Sequence, residues 1–246
     1  MPNLTSLQFG GNQFSGQLSQ SLFNISSLKY FSVASNNITG SLPPDFGLNL
    51  PKLEVFCLGE NQFLGSLPVA LANISSLVQF DVSSNNFTGA IPINFGVSQN
   101  FREINLGFNH LGLGKADDLK FISYLINSSN LEILALDRNN FGGEFPNSIT
   151  DLSTQMEMLY LGGNQISGVV PEGIGNLVNL IGLGLQLNLF HGNVPSSLGQ
   201  LQKLQRLFLH GNRFTGLIPS SIGSISQLSV LSLANNRLEG RIPSSL

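Results

Sequence analysis

The sequence predicts an α/β solenoid, in which about ten short parallel β-strands form a concave sheet and short helices or 3-10 turns form the convex side. Three observations predict this fold. The pattern LxxLxLxxN returns at nearly constant spacing, an asparagine holds its ninth position in every unit, and 41% of the residues are hydrophobic without a run long enough to span a membrane. Each unit supplies one strand, and its apolar side is buried only when neighbouring units stack against it.

The repeat extends over the whole chain, so we predict one repeat domain covering residues 1–246. Successive units start 24 or 25 residues apart, except for one interval of 30. They begin at Leu4, Leu28, Leu53, Leu77, Phe101, Leu131, Met156, Leu180, Leu204 and Leu228. We expect the leucine-type positions of each unit to point inward, and the third, fifth, seventh and eighth positions to face solvent on the sheet.

The ninth position is expected to form a ladder of asparagines at a buried corner, where each strand ends. An amide there can bond to backbone groups that would otherwise be buried without partners. The ladder consists of Asn12, Asn36, Asn61, Asn85, Asn109, Asn139, Asn164, Asn188, Asn212 and Asn236.

The second half of each unit carries three further marks. An apolar residue follows two positions after the asparagine, and these residues are expected to stack as an internal spine: Phe14, Ile38, Phe63, Phe87, Leu111, Phe141, Ile166, Phe190, Phe214 and Leu238. Four positions after the asparagine, nine units have a glycine, which predicts a turn that rejects a β-carbon. Seven positions after it, eight units have a proline.

The unit that starts at Phe101 is six residues longer than usual and has lost both the glycine and the proline. Its extra stretch lies within residues 111–131. Asp117 or Asp118 could cap a helix there, and Leu119, Ile122 and Ile126 follow at helical spacing. We therefore predict about two helical turns on the outer face, in place of the usual turn and minor strand.

The segments "GSLP", "GAIP", "GLIP" and "GRIP" resemble the plant-specific class of leucine-rich repeats. This resemblance covers all ten units and implies a right-handed, twisted superhelix with extra short strands beside the concave sheet. The segment "LGLGKADDLKFISYLINSSNLEILALDRNNFGG" resembles the extracellular region of plant leucine-rich-repeat receptor-like kinases, in the group of bacterial-elicitor immune receptors. That group implies a cysteine where Ser128 stands, so the chain departs from it there.

Composition argues against several functions. Only 10% of residues are charged and the net charge is −3, which disfavours nucleic acid or an anionic membrane as a partner. Cys57 is the single cysteine. The three histidines, His110, His191 and His210, fall in different units at different phases, so we expect no metal site. Phosphate-loop, dinucleotide and kinase motifs are absent, and we expect neither a cofactor nor an enzyme in this chain.

The sheet-facing positions of units seven to nine form the first candidate binding patch. Two glycines between flanking aromatic residues predict a notch about 9.6 Å across, and tyrosine, phenylalanine and arginine are residue types that often anchor interfaces. The patch comprises Met158, Tyr160, Gly182, Gly184, Gln186, Arg206, Phe208 and His210. A second, more acidic candidate comprises Asp81, Glu103, Asn105, Phe108, Asp137 and Arg138.

Glycosylation sequons of the form Asn-x-Ser/Thr occur only in the first 130 residues. The acceptors would be Asn3, Asn24, Asn37, Asn73, Asn86 and Asn127. They suggest passage through the secretory route, and they would leave the later half of the sheet free of sugar.

The leading hypothesis is a ligand-recognition segment of a plant receptor-like kinase in defence signalling. It would bind a peptide or protein ligand and present a surface to a co-receptor ectodomain, at the extracellular face of the plasma membrane and without itself contacting the membrane. No signal peptide, transmembrane helix or kinase is visible, so we expect a segment of a longer protein. The alternatives are a soluble inhibitor of a secreted cell-wall-degrading enzyme, which shares the "GxIP" repeat, and an inactive truncated receptor fragment.

Overall fold

The computed structural model describes residues 3–246, in which strands recur about twice per repeat. They are β1 (Ser6–Gln8), β2 (Ser15–Gln17), β3 (Tyr30–Ser32), β4 (Asn37–Gly40), β5 (Val55–Cys57), β6 (Gln62–Ser66), β7 (Gln79–Asp81), β8 (Asn86–Gly89), β9 (Glu103–Asn105), β10 (His110–Leu111), β11 (Ile133–Ala135), β12 (Gly142–Glu144), β13 (Met158–Tyr160), β14 (Gln165–Val169), β15 (Gly182–Gly184), β16 (Leu189–Asn193), β17 (Arg206–Phe208), β18 (Arg213–Gly216), β19 (Val230–Ser232) and β20 (Arg237–Leu238).

The odd-numbered strands form one ten-stranded sheet in the order β1 to β19, and the register shown by the strand pairs is parallel throughout. The fourth position of each repeat points into the core. Leu134, for example, pairs in register with Ile104 on one side and Leu159 on the other, and all three are fully buried. Because one strand per repeat joins this sheet, the arrangement confirms the predicted solenoid.

A single cluster of buried side chains runs along the interior from Leu7 to Ile225. Within the spine, Phe63 stacks on Phe87 with ring centroids 6.1 Å apart. The spine prediction was wrong for Phe14, which is 50% exposed. Phe14 lies in the first repeat, where a neighbouring coil covers it on one side only.

The ladder asparagines join successive coils through backbone atoms. Asn109 Nδ2 donates to the carbonyl of Leu106 in its own repeat at 3.1 Å and to that of Val82 in the preceding repeat at 3.0 Å. Its Oδ1 accepts from the N–H of Phe87 at 3.0 Å. The same three bonds recur at every ladder position from Asn36 to Asn236. Asn12 Nδ2 donates only to the carbonyls of Phe9 and Gly10 in its own repeat.

Two positions of the repeat adopt a left-handed backbone, one of them in nine repeats and the other in all ten. All nine glycines four positions after the asparagine have positive φ, as the sequence predicts. The residue directly before each ladder asparagine also has positive φ in all ten repeats, which the sequence pattern did not predict. Three of these residues are glycine, and the others are Ser35, Glu60, Ser84, Phe108, Arg138, Leu187 and Asn235.

The even-numbered strands form two separate five-stranded sheets, β2 to β10 and β12 to β20. Five-residue or shorter 3-10 helices complete seven repeats: Gln20–Asn24, Val69–Asn73, Phe95–Val97, Asn147–Asp151, Glu172–Asn176, Ser196–Gln200 and Ser220–Ser224. A repeat proline immediately precedes five of them. Its fixed φ suits this position, where no donor N–H is needed.

The long repeat separates the two smaller sheets, and its helix differs from the prediction. The α-helix α1 covers only Ile122–Leu125, and neither Asp117 nor Asp118 caps it. Leu125 faces the core, whereas Ile126 is 40% exposed, because the chain turns after a single helical turn.

Asp118 instead organises the loop before the helix. Its carboxylate is only 6% exposed, and Oδ2 accepts N–H groups from Leu113 at 2.9 Å, Lys115 at 3.0 Å and Gly142 at 3.0 Å. Asp118 therefore ties the extra stretch to the first strand of the second small sheet.

Candidate binding surface

Three neighbouring strands bring the first candidate patch together on the ten-stranded sheet. Met158 pairs in register with Gly182, which pairs with Arg206. Two residues further along the same strands, Tyr160 pairs with Gly184, which pairs with Phe208. The patch consequently extends over two strand spacings, from β13 to β17.

The predicted notch between the aromatic residues is not open. A β-carbon on Gly182 would collide with the hydroxyl oxygen of Tyr160, and one on Gly184 would lie 2.8 Å from Tyr160 Cδ1. Both glycines are buried. The prediction was wrong because the tyrosine ring lies down across β15 and fills the space that the missing side chains leave.

The open concavity lies beside this ring, at the ends of the same strands. It has a volume of about 450 Å³ and is lined by Arg138, Gly162, Gly163, Gln186, Leu187, Phe208 and His210. It uses three residues of the first candidate patch and Arg138 of the second. The sequence analysis did not include Gly162, Gly163 and Leu187. The paired glycines in "LGGN" could have indicated a part of the surface without side chains.

The polar side chains around the cavity differ in whether they have partners within the protein. His210 Nδ1 and Ser232 Oγ are hydrogen-bonded at 3.0 Å, and the His210 ring meets Phe208 edge-on with centroids 6.4 Å apart. Arg138 extends over the ring of Phe108, 5.1 Å from its centroid. By contrast, Gln186 Oε1 is buried and has no hydrogen-bond partner among residues 3–246.

The acidic candidate patch occupies the sheet before this cavity. Burial, followed by the charge of Asp81, raises the pKa of Glu103, although a hydrogen bond from Gln79 Nε2 at 3.0 Å opposes the shift. Burial likewise raises the pKa of Asp137, and the neighbouring Arg138 opposes that shift. The three carboxylates of this patch, Asp81, Glu103 and Asp137, disfavour an anionic ligand there.

Cys57 lies next to Asp81 in the sheet register. Burial raises the pKa of its thiol to about 12, and the charges of Asp81 and Glu103 act in the same direction. The thiolate that a nucleophile or soft-metal ligand needs is therefore disfavoured.

All six sequon asparagines are exposed. Asn37 and Asn86 begin β4 and β8 of the first small sheet, and Asn24 and Asn73 end 3-10 helices. Asn127 follows α1, and Asn3 precedes β1. Glycans there would leave the cavity uncovered, since none of these residues lines it.

The histidines remain apart: His110 begins β10, His191 lies in β16, and His210 follows β17. Among residues 3–246, no three His, Cys, Asp or Glu side chains converge in an arrangement that could hold a metal ion. No helix in the described part of the chain has the length and apolarity needed to cross a bilayer.

Comparison with known proteins agrees with the fold and the repeat. The Leucine Rich Repeat family profile matches six segments that together cover more than half of the chain: 27–49, 76–97, 130–152, 155–177, 203–225 and 227–246. The Arabidopsis thaliana LRR receptor-like serine/threonine-protein kinase EFR is 46% identical over 78 residues, which are 32% of this chain and 8% of that protein. The receptor kinase-like protein Xa21 of Oryza sativa subsp. japonica is 42% identical over 82 residues, covering 33% and 8%.

Solved structures extend the similarity to nearly the whole chain. The plant peptide hormone receptor RGFR1, in complex with RGF2, superposes with a TM-score of 0.83 at 27% identity, covering 99% of this chain and 42% of the receptor chain. The Arabidopsis receptor kinase HAESA, in complex with the peptide hormone IDA and the co-receptor SERK1, gives a TM-score of 0.70 at 27% identity and covers 98% and 47%. The matched regions thus span less than half of the RGFR1 and HAESA chains, and less than a tenth of EFR and Xa21. Together with the ten-strand solenoid and its asparagine row, these matches establish that the chain belongs to the leucine-rich-repeat family and is homologous to plant leucine-rich-repeat receptor kinases.

Proposed function

We propose that this chain is a ligand-recognition segment of a plant receptor-like kinase, and that it binds an extended peptide or a protein segment on the ten-stranded sheet. The observation that carries the proposal is the cavity between Arg138 and His210, where apolar walls meet one buried, unpaired polar atom, Gln186 Oε1. Concave sites of this size with a few polar groups are typical of ligand recognition. The proposal treats residues 1–246 as one repeat domain.

The comparisons support this class of ligand. RGFR1 and HAESA have the same architecture and are described with a peptide hormone bound or as peptide hormone receptors. The HAESA complex also contains a co-receptor, which supports a second protein partner for this chain. On this proposal, the segment works at the extracellular face of the plasma membrane, and the kinase that it regulates belongs to another part of the protein. Defence signalling is the finer proposal and rests on the resemblance of the long repeat to immune receptors.

A binding screen tests the proposal. The segment, secreted from plant cells and checked for folding, is exposed to libraries of microbial and plant peptides. We expect binders whose affinity falls at least tenfold in Tyr160→Ala or Phe208→Ala, because large aromatic side chains often dominate interfaces. Val55→Ala, on the same face but six repeats away from Phe208, is the matched control and should leave affinity unchanged.

Two results would oppose the proposal. Binders whose affinity ignores both aromatic substitutions would remove the sheet surface as the recognition site. Inhibition of a secreted polygalacturonase, without any peptide binding, would favour the alternative of a soluble enzyme inhibitor.

A further inference from the structure

The row of residues directly before the ladder asparagines contains two large apolar residues, Phe108 and Leu187. The fold imposes a left-handed backbone at this position, which Gly163 and Gly211 adopt without steric conflict. Phe108 and Leu187 adopt it as well, although large L side chains are strained there. They are 49% and 55% exposed, so burial compensates little of that strain. Large apolar side chains at this place are better explained by contact with another molecule than by stability of the fold.

Leu187 lies between glycines, which have no side chains to cover it. A β-carbon on Gly211 would lie 2.7 Å from Leu187 Cδ2, so the leucine lies over that glycine. On its other side, Gly162 and Gly163 form the floor of the cavity. Leu187 and Phe208 therefore present apolar walls beside a floor that has no side chains.

Gln186 contributes a polar group to the lining of the same cavity. Its amide lies across Gly162, where a β-carbon would collide with Nε2. Oε1 is buried and unpaired within the described residues 3–246. A buried acceptor without a donor is unfavourable, and a ligand donor would remove that penalty. Gln186 itself lines the cavity, so its amide lies within reach of a ligand bound there.

The chemistry of the walls restricts which donor fits. Lysine and arginine carry donors but would meet the positive charge of Arg138. Serine and threonine are too small to fill about 450 Å³ beside Phe208. Tryptophan and tyrosine combine a large ring with one N–H or O–H donor, and their rings can meet Phe208 edge-on.

We propose that this cavity is a subsite for one aromatic side chain that carries a hydrogen-bond donor, within an extended peptide bound along the sheet. Gln186 Oε1 accepts the donor's hydrogen, and Leu187 and Phe208 pack on the ring. This subsite rests on the proposed peptide-binding function and specifies one residue class of its ligand.

The absence of tryptophan from the chain makes the test direct, because a single tryptophan in a peptide is then the only indole fluorophore. The probe is an acetylated and amidated pentapeptide with a central tryptophan between serine and glycine residues. A second peptide has 1-methyltryptophan at the centre, which keeps the ring but removes its donor. Each peptide is titrated with the protein while its emission is recorded.

We expect a blue shift on binding and about tenfold weaker binding of the methylated peptide, the loss expected for one hydrogen bond to a buried acceptor. In Gln186→Met, which keeps the length of the side chain but lacks the acceptor, the two peptides should bind equally. Gln8→Met, an exposed glutamine on the same sheet, is the matched control and should keep the tenfold difference.

Equal binding of both peptides to the unchanged protein would overturn the proposal, as would a difference that persists in Gln186→Met or the lack of any blue shift. The library screen separates this failure from failure of the proposed function. Selected peptides that bind the sheet but do not compete with the probe leave peptide recognition standing and reject the subsite. A screen without any sheet binder rejects both.

Discussion

The hydroxyl end of Tyr160 lies over Gly182, in the space that a β-carbon on residue 182 would occupy. The two residues are in neighbouring strands, so the missing side chain of one permits the position of the other. Gly182→Ala should therefore lower the free energy of unfolding by about 1 kcal/mol, because the ring must move. In a Tyr160→Ala background the same change should be neutral or stabilising, since alanine suits a strand better than glycine.

Urea unfolding of the two single variants and the double variant measures this coupling. Tyr30→Ala removes a tyrosine on the same face, six strands away from Gly182 in the ten-stranded sheet, and should combine additively with Gly182→Ala. Additivity for the Tyr160 pair as well would show that the ring does not depend on the glycine.

Asn109 joins two coils through bonds to Val82, Leu106 and Phe87. Asn109→Ala leaves these buried backbone groups unpaired, and we expect a loss of about 2–4 kcal/mol in the free energy of unfolding. Asn12→Ala is the matched control, because Asn12 is exposed and bonds only within its own repeat, and it should cost less than about 1 kcal/mol. Equal losses in the two variants would contradict the coil-joining role.

Asp118 accepts hydrogen bonds from three backbone N–H groups, two in the long repeat and that of Gly142 in the next one. Its neighbour Asp117 instead forms an exposed ion pair with Lys120 at 2.8 Å. Asp118→Ala should destabilise the protein by about 2–4 kcal/mol, and Asp117→Ala by less than about 0.5 kcal/mol. Hydrogen exchange provides a local readout: the amides of Leu113, Lys115 and Gly142 should lose protection only in the first variant. Unchanged protection of these three amides in Asp118→Ala would show that Asp118 does not join the extra stretch to β12.

Glu103 predicts a pH dependence of stability. Burial and Asp81 raise its pKa in the folded protein above the ordinary value of 4.5. The native state therefore binds this proton more tightly than the unfolded state. The resulting stabilisation is fully present below pH 4.5 and is lost as the pH rises through the raised pKa.

Glu103→Gln should accordingly raise the stability at pH 7 by less than about 1 kcal/mol after solvent screening, and should change it little at pH 3. Thermal unfolding at both pH values measures the effect. Glu54→Gln is the control of opposite sign, because it breaks the surface ion pair with Lys29 at 2.7 Å. A loss of stability at pH 7 in Glu103→Gln would contradict the argument.

Cys57 should react slowly in the folded protein. A pKa of about 12, against the ordinary 9.0, leaves about a thousandfold less thiolate at pH 8. Alkylation by iodoacetamide, followed by mass spectrometry, should therefore be much slower in the native protein than in urea. Glu103→Gln should accelerate the native reaction modestly, since Glu103 contributes to the shift. Similar rates before and after unfolding would show that the thiol is not suppressed.

The framework was predictable because its marks are periodic and local. An asparagine at a fixed phase indicates a buried backbone corner, and a glycine four positions later indicates positive φ, as at Gly65 and Gly192. The left-handed residue before each asparagine was not predictable in the same way. Leucine, arginine, phenylalanine and serine share that position, so the fold imposes a conformation that the residue type does not reveal.

Side-chain placement accounts for the other differences. The sequence indicated that Gly182 and Gly184 leave the sheet without side chains at two positions. It did not indicate that the ring of Tyr160 would lie across them. It identified aspartates in the long repeat, but the choice between capping a helix and holding a loop depends on Gly142, which lies 24 residues after Asp118. Such contacts join distant segments, and a local pattern cannot encode them.

From Asn36 to Asn236, each asparagine of the row bonds through its side chain to main-chain atoms alone, both in its own coil and in the one before it. A gene can therefore gain or lose a whole unit by unequal crossing-over without needing a compensating substitution nearby. The outward residues can diverge just as freely, so lineages built on this scaffold can acquire new recognition specificities while conserving the same interior.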